Sequence, residues 1–459
     1  MFKSFIMSYL RLLLVMTVVL FFSSCNMDGD DHIIDTGDVN YIDEELTEVL
    51  VQSGGSLGHY ILPASDDLNS IPQDPKNPLS RAKVQLGKLL FHETALATAS
   101  KFDESMSTYS CASCHHAAGG FQANLAQGIG DGGIGFGLDG GGRYINPHNA
   151  EVDIDVQPIR TPSALNIAYQ TNVLWNGQFG ATGINVGTED QWKENTPIAE
   201  NHLGFEGTEI QAIAGLNVHR FGFKIDEDFI MNTDYKELFD VAFGDISEME
   251  RYNSVTAGLA IAAYERTLLA NQSPFQQWLK GDDRAMTSNE KQGAIAFFNN
   301  GCGSCHNGPA LNSMTFHAYG MGDLCDNQSA INATEDDGAN LGRGGFTKVD
   351  EDRYKFKVPQ LYNLRDSRFY GHGSSFTSVE DVVRYKNEGH AQNDRVPSNY
   401  LSSEFKSLSM NETEIQNITT FILSALHDPN LSRYEPEALP SGQCFPNNDA
   451  LSKVDLGCI

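Results

Sequence analysis

Residues 111–115 read Cys111-Ala112-Ser113-Cys114-His115, and residues 302–306 repeat the pattern as Cys302-Gly303-Ser304-Cys305-His306. In each copy two thiols lie one helical turn apart, where they can form thioether bonds with the two vinyl groups of one porphyrin. The histidine that follows supplies the proximal nitrogen ligand to the iron. We therefore predict two covalently bound haem c groups, with His115 and His306 as iron ligands. The alternatives are a thioredoxin-like redox pair or a zinc site, but zinc usually takes paired Cys-x-x-Cys sets or a second nearby histidine.

Length and composition describe a globular protein with room for two domains. The chain has 459 residues, of which 40% are apolar and 20% charged. Its 31 basic and 60 acidic residues give a formal net charge of −29, which argues against nucleic acid and anionic lipid surfaces as partners. The charge suits a basic partner such as a small electron carrier. Charge alone, however, favours an acidic surface with no special partner.

The N-terminus has the features of an export signal over residues 1–24. Lys3 and Arg11 precede or interrupt an apolar run over 12–22 that is too short for a comfortable membrane span. Cys25 follows small residues, as in a bacterial lipoprotein signal, so we predict that it is lipidated and becomes the mature N-terminus. A retained anchor or ordinary cleavage are the alternatives. The prediction is an exported periplasmic or outer-membrane lipoprotein that meets the membrane only through its lipid.

Helix signals dominate the rest of the chain. Ser80 is a plausible N-cap, and Thr287, Thr377 and Asn411 each stand three residues before a glutamate, the spacing of a capping box. The glycine-rich stretch 128–137 contains G-x-G-x-x-G, but no strand precedes it and no helix follows, so we expect a mobile loop near a haem edge. No run of alternating β-branched residues is long enough for a sheet. The predicted fold is mainly α, with two cytochrome c-like haem domains and long loops.

We divide the chain into five parts, and we expect one disulfide in the last. The parts are a signal peptide (1–24), a tether or linker (25–78), an N-terminal haem domain (79–248), a C-terminal haem domain (249–435) and a tail (436–459). Cys444 and Cys458 lie in the tail and can form a disulfide in an oxidising compartment.

Short stretches around the two motifs occur in an order that resembles the bacterial di-haem cytochrome c peroxidase family, which includes the MauG branch. They read LGKLLF (86–91), GGF (119–121), RTPSALN (160–166), LWNG (174–177), YERTL (264–268), SPF (273–275), KVPQL (357–361) and YGHG (370–373). The resemblance extends from about residue 80 to about residue 430. Each flanking stretch is weak alone, and their order gives them weight.

The resemblance implies a peroxidatic haem in the N-terminal domain and an electron-transfer haem in the C-terminal domain. The first would react with hydrogen peroxide, and the second would collect electrons from a small donor protein, a cytochrome c or a copper protein. The net reaction reduces peroxide to two waters. One alternative is a MauG-like oxidase that acts on a protein residue or a small organic substrate. Another is a non-enzymatic electron-transfer cytochrome. For the oligomeric state, a homodimer is left open.

The resemblance also assigns catalytic roles to three residues. Trp175 matches a family tryptophan between the two haems, where an indole can relay electrons; plain core packing is the alternative. Glu206 is the candidate acid–base group for peroxide cleavage, with Phe205 raising its pKa and Glu209 as its rival. Gln191 matches a family glutamine in the same pocket, where its amide would hydrogen-bond to bound peroxide.

The sixth ligand of the second haem separates the branches of the family. Peroxidase members have a methionine there, whereas MauG-like members have a tyrosine, which this chain offers as Tyr385. The alternative is a packed tyrosine, with Met314, Met321 or Met410 as the ligand. The first haem of many members carries a distal histidine, but His148 reads better as a solvated loop residue.

A calcium ion lies between the domains of many family members. The equivalent positions here are Arg160 and residues 357–359, which begin with Lys357. Cationic side chains at a calcium site put the ion in doubt. We therefore treat calcium as a doubtful cofactor. His372 matches a family histidine near the second haem.

Overall fold

The computed structural model describes residues 36–222 and 233–458. The predicted signal peptide (1–24) and the lipidation site Cys25 lie outside these residues. Within them, no helix is both long enough and apolar enough to cross a bilayer. Residues from Ile42 onward form one compact unit.

Helices are the main regular secondary structure of the described chain, and long loops connect them. In order, the α-helices are α1 (Thr36–Gly54), α2 (Arg81–His92), α3 (Gly207–Val218), α4 (Tyr235–Ala242), α5 (Glu248–Arg251), α6 (Ser254–Arg266), α7 (Pro274–Leu279), α8 (Ser288–Asn299), α9 (Arg343–Thr347), α10 (Val379–Glu388), α11 (Glu412–Thr420) and α12 (Ala450–Leu456). Four two-residue strands form two antiparallel pairs: β1 (Gly133–Ile134) with β2 (Tyr144–Ile145), and β3 (Phe316–His317) with β4 (Phe356–Lys357). The predicted mainly α class is confirmed.

Most of the predicted helix caps are present. The side chain of Ser80 accepts a hydrogen bond from the backbone of α2, and Thr287 and Asn411 form capping boxes at the starts of α8 and α11. The prediction for Thr377 is wrong by one residue. Ser378 caps α10 instead, because its hydroxyl lies 3.0 Å from the amide nitrogen of Asp381.

A glycine at a helix crossing recurs in both halves of the chain. Helix α6 packs across α2 and α3, and a Cβ atom on Gly87 of α2 would lie 1.8 Å from the carbonyl oxygen of Ala260. Helix α8 packs against α11, and a Cβ atom on Gly293 would lie 2.0 Å from the carbonyl oxygen of Asn417. Helix α2 also contacts the turn of the first haem motif and α8 contacts the turn of the second, so the close backbone approaches lie beside both motifs.

The region predicted as a linker over 25–78 differs from the structure after residue 42. Leu46, Leu50, Tyr60 and Leu62 are fully buried in the main core. The side chain of Gln276 bonds to the backbone of both Tyr60 and Leu62, at 2.8 Å in each case. The sequence around these apolar residues is polar and contains prolines, so it indicates a linker rather than a part of the core. The boundary at 248–249 between the two haem domains stays a prediction.

The C-terminal tail returns to the first haem motif. Cys444 and Cys458 form the expected disulfide. The carbonyl oxygen of Pro446 accepts hydrogen bonds from the hydroxyl groups of Ser110 and Ser113, at 2.9 and 3.2 Å. The tail therefore supports the backbone that carries the first pair of cysteines.

The Gly87 crossing predicts a large stability effect from one methyl group. Gly87→Ala should lower the free energy of unfolding by at least about 2 kcal/mol, since overpacking against backbone forces helices apart. Thermal unfolding of the full-length protein measures the loss. Gly58→Ala is the control, because a Cβ atom there lies 3.7 Å from its nearest neighbour. Equal free energies of unfolding for the two variants would contradict the close approach of α2 and α6 at Gly87.

Candidate haem centre

The first motif forms a tight turn that exposes its histidine ring to a cavity. The backbone nitrogens of Cys114 and His115 both bond to the carbonyl oxygen of Cys111, at 3.2 and 3.0 Å. Nδ1 of His115 lies 3.1 Å from the carbonyl oxygen of Phe121, which can only accept, so Nδ1 donates and Nε2 is left as a ligand. Burial lowers the pKa of His115 to about 4, which keeps the ring neutral, as metal binding requires.

The second motif repeats this geometry. The backbone nitrogen of His306 bonds to the carbonyl oxygen of Cys302 at 3.0 Å, and its Nδ1 lies 3.0 Å from the carbonyl oxygen of Leu311. Burial lowers the pKa of His306 to about 4 as well. Gly301 precedes the turn with a φ of +85°, a left-handed conformation that favours glycine. Both histidines thus present Nε2 from a hydrogen-bonded ring.

The four motif cysteines fit thioether attachment better than zinc binding. All four are free thiols in the structure, and burial raises the pKa of Cys114 and of Cys302 to about 11. Zinc would need thiolates together with further ligands. Among the described residues, the single cluster of three metal-ligating side chains lies elsewhere, at Asp323, Cys325 and Asp326.

One continuous cavity of about 760 Å³ receives both motifs. Its walls include all four motif cysteines and both proximal histidines. The remaining walls are mainly apolar side chains, including Ile261, Phe297 and Leu361. Thiols, ring nitrogens and apolar walls that meet in one cavity are what two covalently held porphyrins need. The residues therefore fit the two haem groups.

Trp175 lies in this cavity wall and is held from both sides. Its ring Nε1 donates to the carbonyl oxygen of Arg160 at 2.8 Å, and its own carbonyl oxygen accepts from the backbone nitrogen of Lys357 at 2.8 Å. The ring of His372 lies 6.4 Å away edge-on and stacks on Phe356 at 3.6 Å. The indole is thus fixed between a segment near the first motif and a strand of the second half.

Arg160 is a buried cation at the position equivalent to the calcium site of the family. The side chain is 2% exposed. Its guanidinium donates to four oxygen atoms, the carbonyls of Leu125 and Ala123, the amide of Gln122 and the hydroxyl of Ser367, at 2.9 to 3.2 Å. These oxygens accept hydrogen bonds from the guanidinium, and the doubt about calcium stays a prediction.

Glu206 and Glu209 meet at one arginine outside the cavity wall. Glu206 directly precedes α3, and its carboxylate accepts from Arg266 at 2.9 Å, while Glu209 accepts from the same guanidinium at 2.8 and 2.6 Å. Burial raises the pKa of Glu206 despite the arginine. Neither glutamate, nor Gln191 on its partly exposed 3₁₀ turn, is among the described residues that line the cavity.

Tyr385 lies off the face of α10 that meets the cavity. Val379, Val382, Val383 and Lys386 form that face. The Tyr385 hydroxyl donates instead to the carbonyl oxygen of Tyr319 at 2.5 Å, and burial raises its pKa to about 12. Ligation through this phenol would need the side chain to turn, so its role as iron ligand stays a prediction.

Of the alternative ligands, the cavity wall includes Met321 and Met410, and Met314 is not among the described residues of that wall. His148 is exposed in its loop, as expected.

The sequence prediction missed several polar groups in the cavity wall. His219 donates from Nδ1 to Asp155 at 2.9 Å, and although burial lowers its pKa, the carboxylate more than offsets that effect and raises it. Glu265 is fully buried, and its Oε2 has no hydrogen-bond partner among the described residues. Gln211, Gly215 and His219 follow one another at four-residue spacing and all line the cavity. This helical spacing is a signal in the sequence that could have placed His219 on the same face as Gln211 and Gly215.

The glycine-rich stretch contributes to the first haem site rather than to a dinucleotide site. Gly128 and Gly130 lie in the cavity wall. A Cβ atom on Gly128 would lie 3.1 Å from the sulfur of Cys114 and 2.4 Å from the hydroxyl of Thr161. Glycine is therefore needed here for close approach to the thiol.

Comparisons with known proteins agree with this centre. Residues 81–284 match the family described as di-haem cytochrome c peroxidase. The methylamine utilization protein MauG of Methylorubrum extorquens is 28% identical over 367 residues, which cover 78% of this chain and 82% of that protein. The cytochrome c peroxidase Ccp of Escherichia coli is 26% identical over 351 residues, 74% of this chain and 62% of that protein.

Solved structures share the fold. A MauG-like protein associated with microbial copper homeostasis superimposes with a TM-score of 0.55 at 23% identity, over 81% of this chain and 95% of that one. The diheme peroxidase BthA of Burkholderia thailandensis gives a TM-score of 0.50 at 16% identity, over 79% of this chain and 90% of that one. The family match and the similarity to MauG and Ccp confirm the prediction of two c-type haems.

The buried carboxyl of Glu265 predicts a pH-dependent stability. Burial and the nearby Glu209 raise its pKa from 4.5 to about 8, so between these values the folded state holds a proton that the unfolded state releases. The free energy of unfolding should therefore fall with rising pH, by up to about 1.4 kcal/mol per pH unit from this group. Glu265→Gln should remove that slope in denaturant titrations at pH 5 to 8. An unchanged slope would contradict the assignment.

Proposed function

We propose that this chain, which belongs to the di-haem cytochrome c peroxidase and MauG family, reduces hydrogen peroxide to water with electrons from a small redox carrier. One observation carries the proposal: the two motifs open into one cavity whose wall holds Trp175. A cavity with two such sites and an indole between their segments suits a two-electron reaction fed one electron at a time.

A peroxide-reducing site needs a proton carrier beside the first haem. A haem held by Cys111, Cys114 and His115 would supply the redox chemistry of peroxide cleavage, and the protein would have to move a proton between the two peroxide oxygens. We assign this task to Glu206, because burial raises its pKa and a single bond ties it to Arg266. Glu206 is not among the described residues that line the cavity, so the role requires its side chain to move towards the first haem. Glu209 is the weaker candidate, since two bonds commit its carboxylate to the same guanidinium.

Trp175 is the proposed electron relay. Its indole is held by a ring hydrogen bond to Arg160 and by its backbone bond to Lys357, so the ring cannot swing away from the cavity. A fixed aromatic ring offers a more polarisable path than aliphatic packing does. Gln191 is the proposed hydrogen-bond donor to peroxide, a role that would need its turn to move towards the cavity.

The electron donor is proposed to be a basic small protein, a cytochrome c or a copper protein. The net charge of −29 would speed its encounter at low ionic strength. The proposed location is the periplasm, with the chain exported by residues 1–24 and held by lipid on Cys25.

A MauG-like oxidase is the second candidate, favoured by the 28% identity to MauG of Methylorubrum extorquens. A redox titration followed by optical and electron spin resonance spectra separates the two. Methionine ligation at the second haem supports the peroxidase, and Tyr385 phenolate ligation supports the oxidase. If both irons are six-coordinate and their spectra do not change with peroxide, the remaining candidate is a non-enzymatic electron-transfer cytochrome.

The acid–base assignment predicts the behaviour of Glu206→Gln. The variant should keep both haems, because Glu209 still neutralises Arg266, and its turnover with peroxide should fall by about 10²- to 10⁴-fold. Steady-state peroxide reduction gives the rate, and the mass of the mature protein gives the haem content. Glu200→Gln is the matched control on the preceding turn. Unaltered turnover in Glu206→Gln would rule out the role.

The relay assignment predicts slower electron passage in Trp175→Phe. The smaller ring keeps an apolar wall but loses the indole and its bond to Arg160. Flash-photolysis measurement of inter-haem electron transfer should show a lower rate, with an unchanged far-ultraviolet spectrum. Trp192→Phe, a buried tryptophan bonded to Thr188 outside the cavity wall, should match the parent protein. If both variants transfer electrons at the parent rate, the relay assignment is wrong.

A further inference from the structure

Lys357 is a buried lysine whose charge the described chain does not neutralise. It lies on strand β4 opposite Phe316, and it is 6% exposed. Its side chain forms part of the wall of the haem cavity. In the part of the chain that the structure describes, its ammonium group makes neither a hydrogen bond nor an ion pair.

Other cations in the cavity wall have partners of their own. The Arg160 guanidinium donates to four oxygen atoms. The Lys386 ammonium lies 3.1 Å from the ring centroid of Tyr319, over its negative face. Lys357 differs from both, although its backbone is firmly placed by the bond from its nitrogen to the carbonyl oxygen of Trp175.

A charged ammonium group that is buried without a partner raises the free energy of the folded protein. Transfer of a charge out of water is strongly unfavourable unless an opposite charge and hydrogen bonds accompany it. Burial alone lowers the pKa of Lys357 to about 7, which is the response of a lysine without an anion. The cavity that Lys357 faces is the one that receives the two haems, and each haem brings two propionate carboxylates.

We propose that Lys357 is the anion-binding residue of this cavity, whose ammonium pairs with a haem propionate beside Trp175. The pairing completes the hydrogen bonding of a group that the polypeptide leaves unsatisfied. It also keeps a full positive charge next to the proposed electron path. This inference rests on the two-haem assignment and not on the reaction that the haems perform.

A positive charge beside a haem favours the reduced iron, so its removal has a measurable direction. Lys357→Met in the full-length mature protein should shift the midpoint potential of at least one haem downward in an optical redox titration. Lys357→Arg keeps the charge and should stay close to the parent potential. Lys355→Met is the matched control, because it removes the same charge two residues earlier from a side chain outside the described cavity wall.

Infrared spectroscopy tests the contact itself. Reduced-minus-oxidised difference spectra of protein carrying haem with ¹³C-labelled propionates identify the carboxylate bands. These bands should move in both Lys357→Met and Lys357→Arg, since either change alters the hydrogen bond, and should not move in Lys355→Met. If Lys357→Met fails to fold, the carboxylate bands of Lys357→Arg still test whether the lysine contacts a propionate.

The proposal is overturned if a Lys357 variant with two haems, verified by mass, has the carboxylate bands of the parent protein. It is equally overturned if Lys357→Met leaves both midpoint potentials unchanged. Peroxide turnover takes no part in these measurements, so a failure of the proposed peroxidase function would leave the propionate result intact and separately readable.

Discussion

Two short turns set the geometry that the rest of the molecule serves. In each Cys-x-x-Cys-His turn the amide of the histidine bonds to the carbonyl of the first cysteine, and the ring is fixed by a second carbonyl through Nδ1. Two sulfur atoms and one ring nitrogen are thereby aimed into the same cavity from each turn. The helix crossings at Gly87 and Gly293, which let backbones meet without side chains between them, place apolar walls around these atoms.

Charge inside the molecule is arranged differently from charge on its surface. The whole chain has a net charge of −29, yet the cavity wall contains Arg160, Lys357 and Lys386. Acidic groups near it are paired, as Glu209 is with Arg266, or are kept protonated by burial, as Glu265 is. An acidic exterior suits the proposed basic electron donor, while the cations of the cavity wall suit the proposed pairing with a haem propionate.

The parts of the fold that depend on local chemistry could be predicted from the sequence. Haem motifs, caps such as Ser80 and the tail disulfide each follow from a few neighbouring residues. The direction in which a helix residue faces depends on packing partners far along the chain, so Tyr385 could be assigned to α10 but not to a face of it. Lys357 could be placed at the family's calcium position, but its burial could not be predicted, because a lone lysine in sequence looks the same whether it is solvated or buried.

The support of the first motif by Pro446 has a consequence for biosynthesis. Residues 111–115 leave the ribosome long before the segment that closes over Ser110 and Ser113. The attachment site at residues 111–115 therefore gains these two supporting hydrogen bonds only after the C-terminal tail, with its Cys444–Cys458 disulfide, has been synthesised and has folded back.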